Sequence, residues 1–273
     1  MNVEVQGVSV AYETRGEGLP ILLVHGWTDD RHYMQADLEP VFDAHPGWRR
    51  TYLDLPGHGD TPAPGWLESQ AQVMEVLKGF VDAVMDEPFA VAGSSYGGYL
   101  TLGLVRAIPK RLLGAALLVP DLPAADGSRD TTEQVTLVED RSAFQDLAED
   151  EEWIPGALVE QSARALEEIR TYEMPAIRAS DSEFLERLEG NYLHQGALAV
   201  PGPAFDGPSL ILTGRQDSTV GYRAAYGLLD EFPRATYAVI DLAGHWLGRV
   251  ERPAVFRALF DDWLSRVEHS TVI

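Results

Sequence analysis

A chain of 273 residues, 45% hydrophobic and 9% aromatic, has the composition of a globular protein able to bury a substantial core. Its 43 acidic residues against 21 basic ones give a formal charge of −22, a surface that repels phosphate backbones and anionic lipid, so neither nucleic-acid nor membrane partners are expected. The lack of cysteine excludes disulfides and thiolate metal sites, and no apolar run reaches the roughly 18 residues of a membrane helix, so a soluble cytoplasmic protein is expected, its oligomeric state left open.

Taken in chain order, VEVQ and VSVAYET read as two early strands with Gly7 at the turn between them. PILLVHG, WRRTYLDLPG, PFAVAGS, LLGAALLVP, PSLILTG and ATYAVIDLAG read as six more, several of them continuously apolar, as strands covered on both faces are. Helical patterns alternate with them. Val73, Val76, Leu77, Phe80 and Val84 form one stripe, and after Pro253 the residues Phe256, Leu259, Phe260, Trp263, Leu264 and Val267 form another. The alternation predicts an α/β protein with a doubly wound, mostly parallel, eight-stranded sheet. From 121 to 205 no strand is evident and the pattern is acidic and helical, so residues 1–120 and 206–273 are expected to form the core and 121–205 an inserted helical lid. VPDLPAADG and VPGPAFDGP, rich in Pro and Gly, would be its hinges.

Within the run AVAGSSYGGYLTLGLV, Gly93-Ser94-Ser95-Tyr96-Gly97 fits G-x-S-x-G, a sharp strand-to-helix turn that lifts a serine hydroxyl above the sheet edge. Ser95 takes the elbow position and Ser94 the variable one. A serine hydroxyl needs a base. His245 follows the last strand directly, which brings it to the same edge; His194 lies in the insertion, His269 in the tail, and His25 and His58 in glycine-containing turns that they are expected to brace. The orienting carboxylate is assigned to Asp217, after the penultimate strand, with Asp121 kept as an alternative and Asp241 read as part of a strand. Backbone N–H groups of Trp27 and Tyr96 are the expected oxyanion donors. The cluster at Asp29, Asp30 and His32 lacks metal-ligand spacing and reads as a solvated loop or helix start, and no nucleotide-binding loop is present, so a reaction without metal or cofactor is expected.

LLVHGW, DLPGHGDTP, GSSYGG, LTGRQD and LAGHWLGRVERP together resemble the α/β-hydrolase superfamily, in the lidded branch of esterases, perhydrolases and carbon–carbon bond hydrolases. The resemblance spans residues 8–120 and 208–267 and implies an α/β-hydrolase fold with a triad on Ser95, Asp217 and His245. Serine at the elbow departs from the epoxide hydrolase and haloalkane dehalogenase branches, which carry aspartate there. The leading reading is a serine hydrolase cleaving a small neutral carboxylic ester. The alternatives are hydrolysis of a carbon–carbon bond in a vinylogous diketone and a small-ligand receptor without turnover. Trp27, Trp153, Tyr172, Phe184, Tyr192 and Trp246, with Leu158 and Met174, are expected to wall a mostly apolar pocket. A carboxylated diketone would need a lid cation, for which Arg178 and Arg187 are the candidates.

Overall fold

Successive residues of a strand point to opposite faces, and the central strands are apolar on both. In the computed structural model, which describes residues 1–122, 128–190 and 202–271, Ile21 and Leu23 belong to one core cluster while Leu22 and Val24 belong to another. Ala90 and Ala92 part from Phe89 and Val91 in the same way. The chain therefore builds a sheet covered on both sides.

The strands are β1 (Asn2–Val5), β2 (Val8–Arg15), β3 (Leu19–Val24), β4 (Trp48–Leu53), β5 (Phe89–Ser94), β6 (Leu112–Leu118), β7 (Ser209–Gly214) and β8 (Ala235–Ile240). Their order in the sheet is β1-β2-β4-β3-β5-β6-β7-β8, with the β1·β2 and β2·β4 pairs at one edge antiparallel and the remaining pairs parallel. On one face lie α2 (Gln70–Val84) and α3 (Tyr96–Ala107); on the other lie α1 (Arg31–Phe42) and α9 (Pro253–Thr271). The stripe Val73, Val76, Leu77 and Phe80 is buried in the first core, and Phe256, Phe260, Trp263, Leu264 and Val267 in the second. Among the described residues no helix is long and apolar enough to cross a membrane.

Among its described residues, the segment between β6 and β7 is less helical than its sequence suggests. Residues 128–140 are irregular, and helix begins in short pieces: α4 (Ile154–Ala157), α5 (Ala163–Glu168), α6 (Met174–Ala179) and α7 (Ser182–Gly190), with a π-type turn at Ile169–Glu173 joining α5 to α6. The early part holds β-branched Thr131, Thr132, Val135, Thr136 and Val138, and its backbone finds partners outside a helix. Thr132 N–H donates to the Asp217 carbonyl (3.3 Å), Leu137 N–H to Val159 O (2.8 Å) and Gln161 N–H to Val138 O (2.9 Å). A short α8 (Arg223–Tyr226) follows β7.

The turn from β5 into α3 is possible only because two glycines let backbone meet backbone. A Cβ on Gly93 would lie 2.1 Å from Gly97 O, and one on Gly97 would lie 2.2 Å from Val24 O and 2.4 Å from His25 O. Gly97→Ala is therefore expected to cost about 2 kcal/mol or more, because rigid backbone cannot retreat as a flexible side chain would. Gly156→Ala, where a Cβ meets nothing within 4 Å, should stay within about 1 kcal/mol of the parent. Urea unfolding of both variants checks the difference.

Candidate active site

Ser95 occupies the tight turn between β5 and α3 with φ 53° and ψ −116°, a left-handed conformation that costs a non-glycine residue about 1–3 kcal/mol. Long-range bonds hold it there: Ser95 N–H donates to Leu118 O (2.8 Å), and Ser95 O accepts from Tyr99 N–H and Asp121 N–H (3.1 Å each). Ser94, the other serine of the pair, is buried at the end of β5.

The parallel strands deliver the remaining groups to the same edge. His245 Nε2 lies 2.9 Å from Ser95 Oγ, and His245 Nδ1 lies 2.9 Å from Asp217 Oδ2. The Asp217 Oδ1 accepts the N–H groups of Thr219 and Val220, each at 2.9 Å, so the fully buried carboxylate is saturated. Burial raises the Asp217 carboxyl, but the nearby imidazole and these three hydrogen bonds outweigh it, and the group is held below its ordinary range. In His245 burial pulls downward, while the charge and hydrogen bond of Asp217, with Glu173 and Asp121 further off, pull upward and prevail.

The rival acids are engaged elsewhere. Asp121 forms a two-pronged pair with Arg129, Nε to Oδ1 at 2.6 Å and Nη2 to Oδ2 at 2.7 Å. Asp241 is exposed, just past the end of β8, and accepts from Gln216 Nε2 at 2.8 Å. His25 and His58 brace the loops beside the site. Leu55 N–H donates to His25 Nε2 (2.9 Å), which leaves Nδ1–H to donate to Gly26 O (2.7 Å), and burial keeps the imidazole neutral, its pKa lowered to about 4. His58, lowered to about 3 by burial and then by His25, packs 5.0 Å from it. His269 lies in α9, and His194 lies outside the described residues.

Tyr96 is the first residue of α3, so its amide points out of the helix N-terminus beside Ser95, and Trp27 follows Gly26 in the loop after β3. A Cβ on Gly26 would come within 3.3 Å of Ser95 Cβ, which places that loop directly against the serine. The Trp27 ring meets the Tyr96 ring edge-on at 5.2 Å.

A cavity of about 240 Å³ opens over Ser95, lined among the described residues by Trp27, Tyr96, Asp121, Arg129, Glu189, Thr219 and Val220. Its wall carries the charged Asp121, Arg129 and Glu189, and of the anticipated wall residues that are described, Trp27 lines it. Phe184 is fully buried in the main core against Gly57; Leu158 and Met174 form a small core with Ile154, Leu166 and Ile169; Tyr172 lies against the Arg249 guanidinium, 4.6 Å from its centre. Trp153 is exposed, with its ring 5.6 Å from that of Trp246, and Trp246 donates its indole N–H to Glu173 and stands edge-on to His245. Tyr192 lies outside the described residues. These side chains are taken up by packing elsewhere, Phe184 in the main core and Leu158 and Met174 in a small core of the segment's own, before any can wall the cavity.

Arg178 pairs with Asp150 at 2.8 Å and Arg187 lies over the Phe184 ring, so the cation in the cavity wall is Arg129, which no spacing rule singles out. Asp30 caps α1, accepting from His32 N–H at 2.8 Å, as a helix start should. Asp29, beside it, is instead buried. Among the described residues no group of three or more His, Asp or Glu is placed to hold a metal ion.

The model of the alpha/beta hydrolase fold family matches residues 20–248. The chain belongs to that family. It is 32% identical over 118 residues to the dihydrolipoyllysine-residue acetyltransferase component of an acetoin cleaving system from Cupriavidus necator, covering 43% of this chain and 31% of that protein. It is 35% identical over 97 residues to a pimeloyl-[acyl-carrier protein] methyl ester esterase from Neisseria meningitidis, covering 36% and 35%. The chain thus spans about a third of the length of these curated relatives. An alpha/beta superfamily hydrolase from Oenococcus oeni superimposes with a TM-score of 0.84 over 98% of this chain and 99% of the other at 23% identity, a likeness of fold.

Two outcomes follow from this geometry. An imidazole held above its ordinary 6.5 must lose its proton before it can act as a base, so any activity that uses His245 should rise with pH through a midpoint above 6.5. In Asp217→Asn burial then dominates, and the midpoint read by imidazole NMR should move down. Phe184→Ala is expected to lower unfolding free energy by about 3–5 kcal/mol, since it empties a core position. Trp153→Ala, at an exposed site, should cost about 1 kcal/mol or less, and urea titration distinguishes the two.

Proposed function

We propose that this protein is a serine hydrolase that cleaves a small neutral carboxylic ester through an acyl-enzyme. The observation that carries the reading is the unbroken chain from Ser95 Oγ to His245 to Asp217, with both hydrogen bonds at 2.9 Å. His245 takes the Ser95 proton as Oγ attacks the ester carbonyl, and Asp217 holds the imidazole in the tautomer that leaves Nε2 free to accept. The Trp27 and Tyr96 amides receive the developing oxyanion, helped by the α3 N-terminus. His245 returns the proton to the leaving alcohol, and water then releases the acid by the same route. Residues 121–205 act as the lid, from which Glu189 reaches the cavity.

The substrate class rests on size and charge. A cavity of about 240 Å³ suits a short acyl group. Asp121 and Glu189 outnumber Arg129 in its wall, and the chain carries −22 overall, so a neutral ester is favoured over an anionic one. The relative from Neisseria meningitidis is named for a methyl ester, which agrees in bond type. Arg129 is the one feature that favours a carboxylated diketone, and Asp121 already neutralises it.

A fluorophosphonate probe should label the protein at Ser95, identified by peptide mapping. Ser95→Ala should abolish hydrolysis of p-nitrophenyl acetate, and Ser94→Ala should retain most of it. Equal losses in the two folded variants would sink the assignment, and uptake of an ester without turnover would favour a receptor.

A further inference from the structure

Buried carboxyls are nearly always hydrogen-bonded, because leaving one bare forfeits its hydration for nothing. Asp29 lacks such a partner among the described residues, which leaves water to solvate its carboxyl. It is 7% exposed, and among the described residues it accepts no hydrogen bond and joins no ion pair. Its carboxyl lies close to the nucleophile: a Cβ on Gly26 would lie 2.6 Å from Asp29 Oδ2 and 3.3 Å from Ser95 Cβ. Added together, these distances bound the separation of the carboxyl oxygen and the serine Cβ at 5.9 Å. A water hydrogen-bonded to that carboxyl therefore falls within reach of the Ser95 side chain. Glu173 links Asp29 to the base, since its charge acts on Asp29, it feels the charge of His245, and its carboxylate is anchored by the indole of Trp246, the residue after His245.

Resting on the serine-hydrolase reading above, we propose that Asp29 holds the water that hydrolyses the acyl-enzyme. One O–H of that water donates to the Asp29 carboxyl and the other to His245 Nε2. The water oxygen bonds to the acyl carbon as its proton passes to His245; the tetrahedral intermediate then collapses, the bond to Ser95 Oγ breaks, and His245 returns the proton to Oγ. Asp29 gains and loses no proton. Burial, and next the charge of Glu173, hold its carboxyl well above the usual carboxylate range, and in either protonation state it keeps an acceptor oxygen for the water. During acylation the attacking oxygen is Ser95 Oγ, already 2.9 Å from His245, and Asp29 has no part to play.

The two half-reactions therefore separate. With p-nitrophenyl acetate, Asp29→Ala should release one equivalent of p-nitrophenol in a burst and then turn over about tenfold or more slowly, the value of one positioned hydrogen bond. Its rate of labelling by a fluorophosphonate should stay within about threefold of the parent, because that reads acylation competence alone. Asp29→Ser should behave likewise, which keeps the test standing if one variant fails to fold. Asp29→Asn, which retains an acceptor oxygen, should remain within a few-fold of the parent, and added formate should restore turnover to Asp29→Ala. A folded, labelled Asp29→Ala or Asp29→Ser without a burst, or with labelling and turnover reduced together, overturns the role of Asp29. A parent protein that the probe does not label overturns the serine-hydrolase reading itself.

Discussion

The geometry of the site depends on how closely α3 can approach β5. A helix starting directly at the end of a buried parallel strand must turn within one residue, and that residue takes a conformation L-amino acids avoid. Gly93 and Gly97 permit it because a Cβ on either would meet backbone carbonyls, Gly97 O for the first and Val24 O and His25 O for the second, that cannot retreat. Ser95 is then held by Leu118 on the neighbouring strand and by Asp121 just beyond it, so the strain is carried by the sheet rather than by the loop. Once that serine is fixed, the parallel order of β5, β6, β7 and β8 brings every later loop to the same edge, where His245 and Asp217 meet it.

Buried charge ties the inserted segment to that edge. Arg249 reaches Asp37 of α1 at 2.7 Å and Glu168 of α5 at 3.1 Å, and lies between the rings of Tyr33 and Tyr172. Glu251 accepts Gly244 N–H at 2.6 Å and Val159 N–H at 3.0 Å, so the residue preceding His245 and the insertion share one carboxyl. Burial raises that carboxyl to about 7. Such contacts gain little net energy after desolvation, but breaking one leaves a charge stranded, which makes the arrangement specific rather than merely tight. The loop that carries His245 is thus seated by the insertion as well as by the sheet.

Much of this was legible beforehand, and the limits are instructive. Continuous apolar strands, a stripe such as Val73-Val76-Leu77-Phe80, and a serine among glycines each state their structure within a few residues. Residues 128–140 do not, because their backbone is satisfied by Asp217 and Val159 from distant parts of the chain. Phe184 and Trp153 look alike as large apolar residues of one acidic segment, yet one is sealed in the main core and the other is exposed. Asp29 and Asp30 are adjacent acids in one short cluster; the second caps a helix and the first is driven under the loop beside Gly26.

By itself the sequence determined the periodicities and the chain order of the chemistry: eight strands, their helices, and serine, aspartate and histidine each following a strand that ends at the same edge. These are local properties, since side-chain direction repeats every two residues in a strand and every 3.6 in a helix whatever lies elsewhere. Tertiary structure alone decided that Asp217 rather than Asp121 faces His245, that Arg129 rather than Arg178 or Arg187 lines the cavity, and that Asp29 is buried without a partner. Which acid finds which base depends on contacts between distant residues, 212 positions apart for Arg249 and Asp37 and 150 for His245 and Ser95, and no local pattern carries that information.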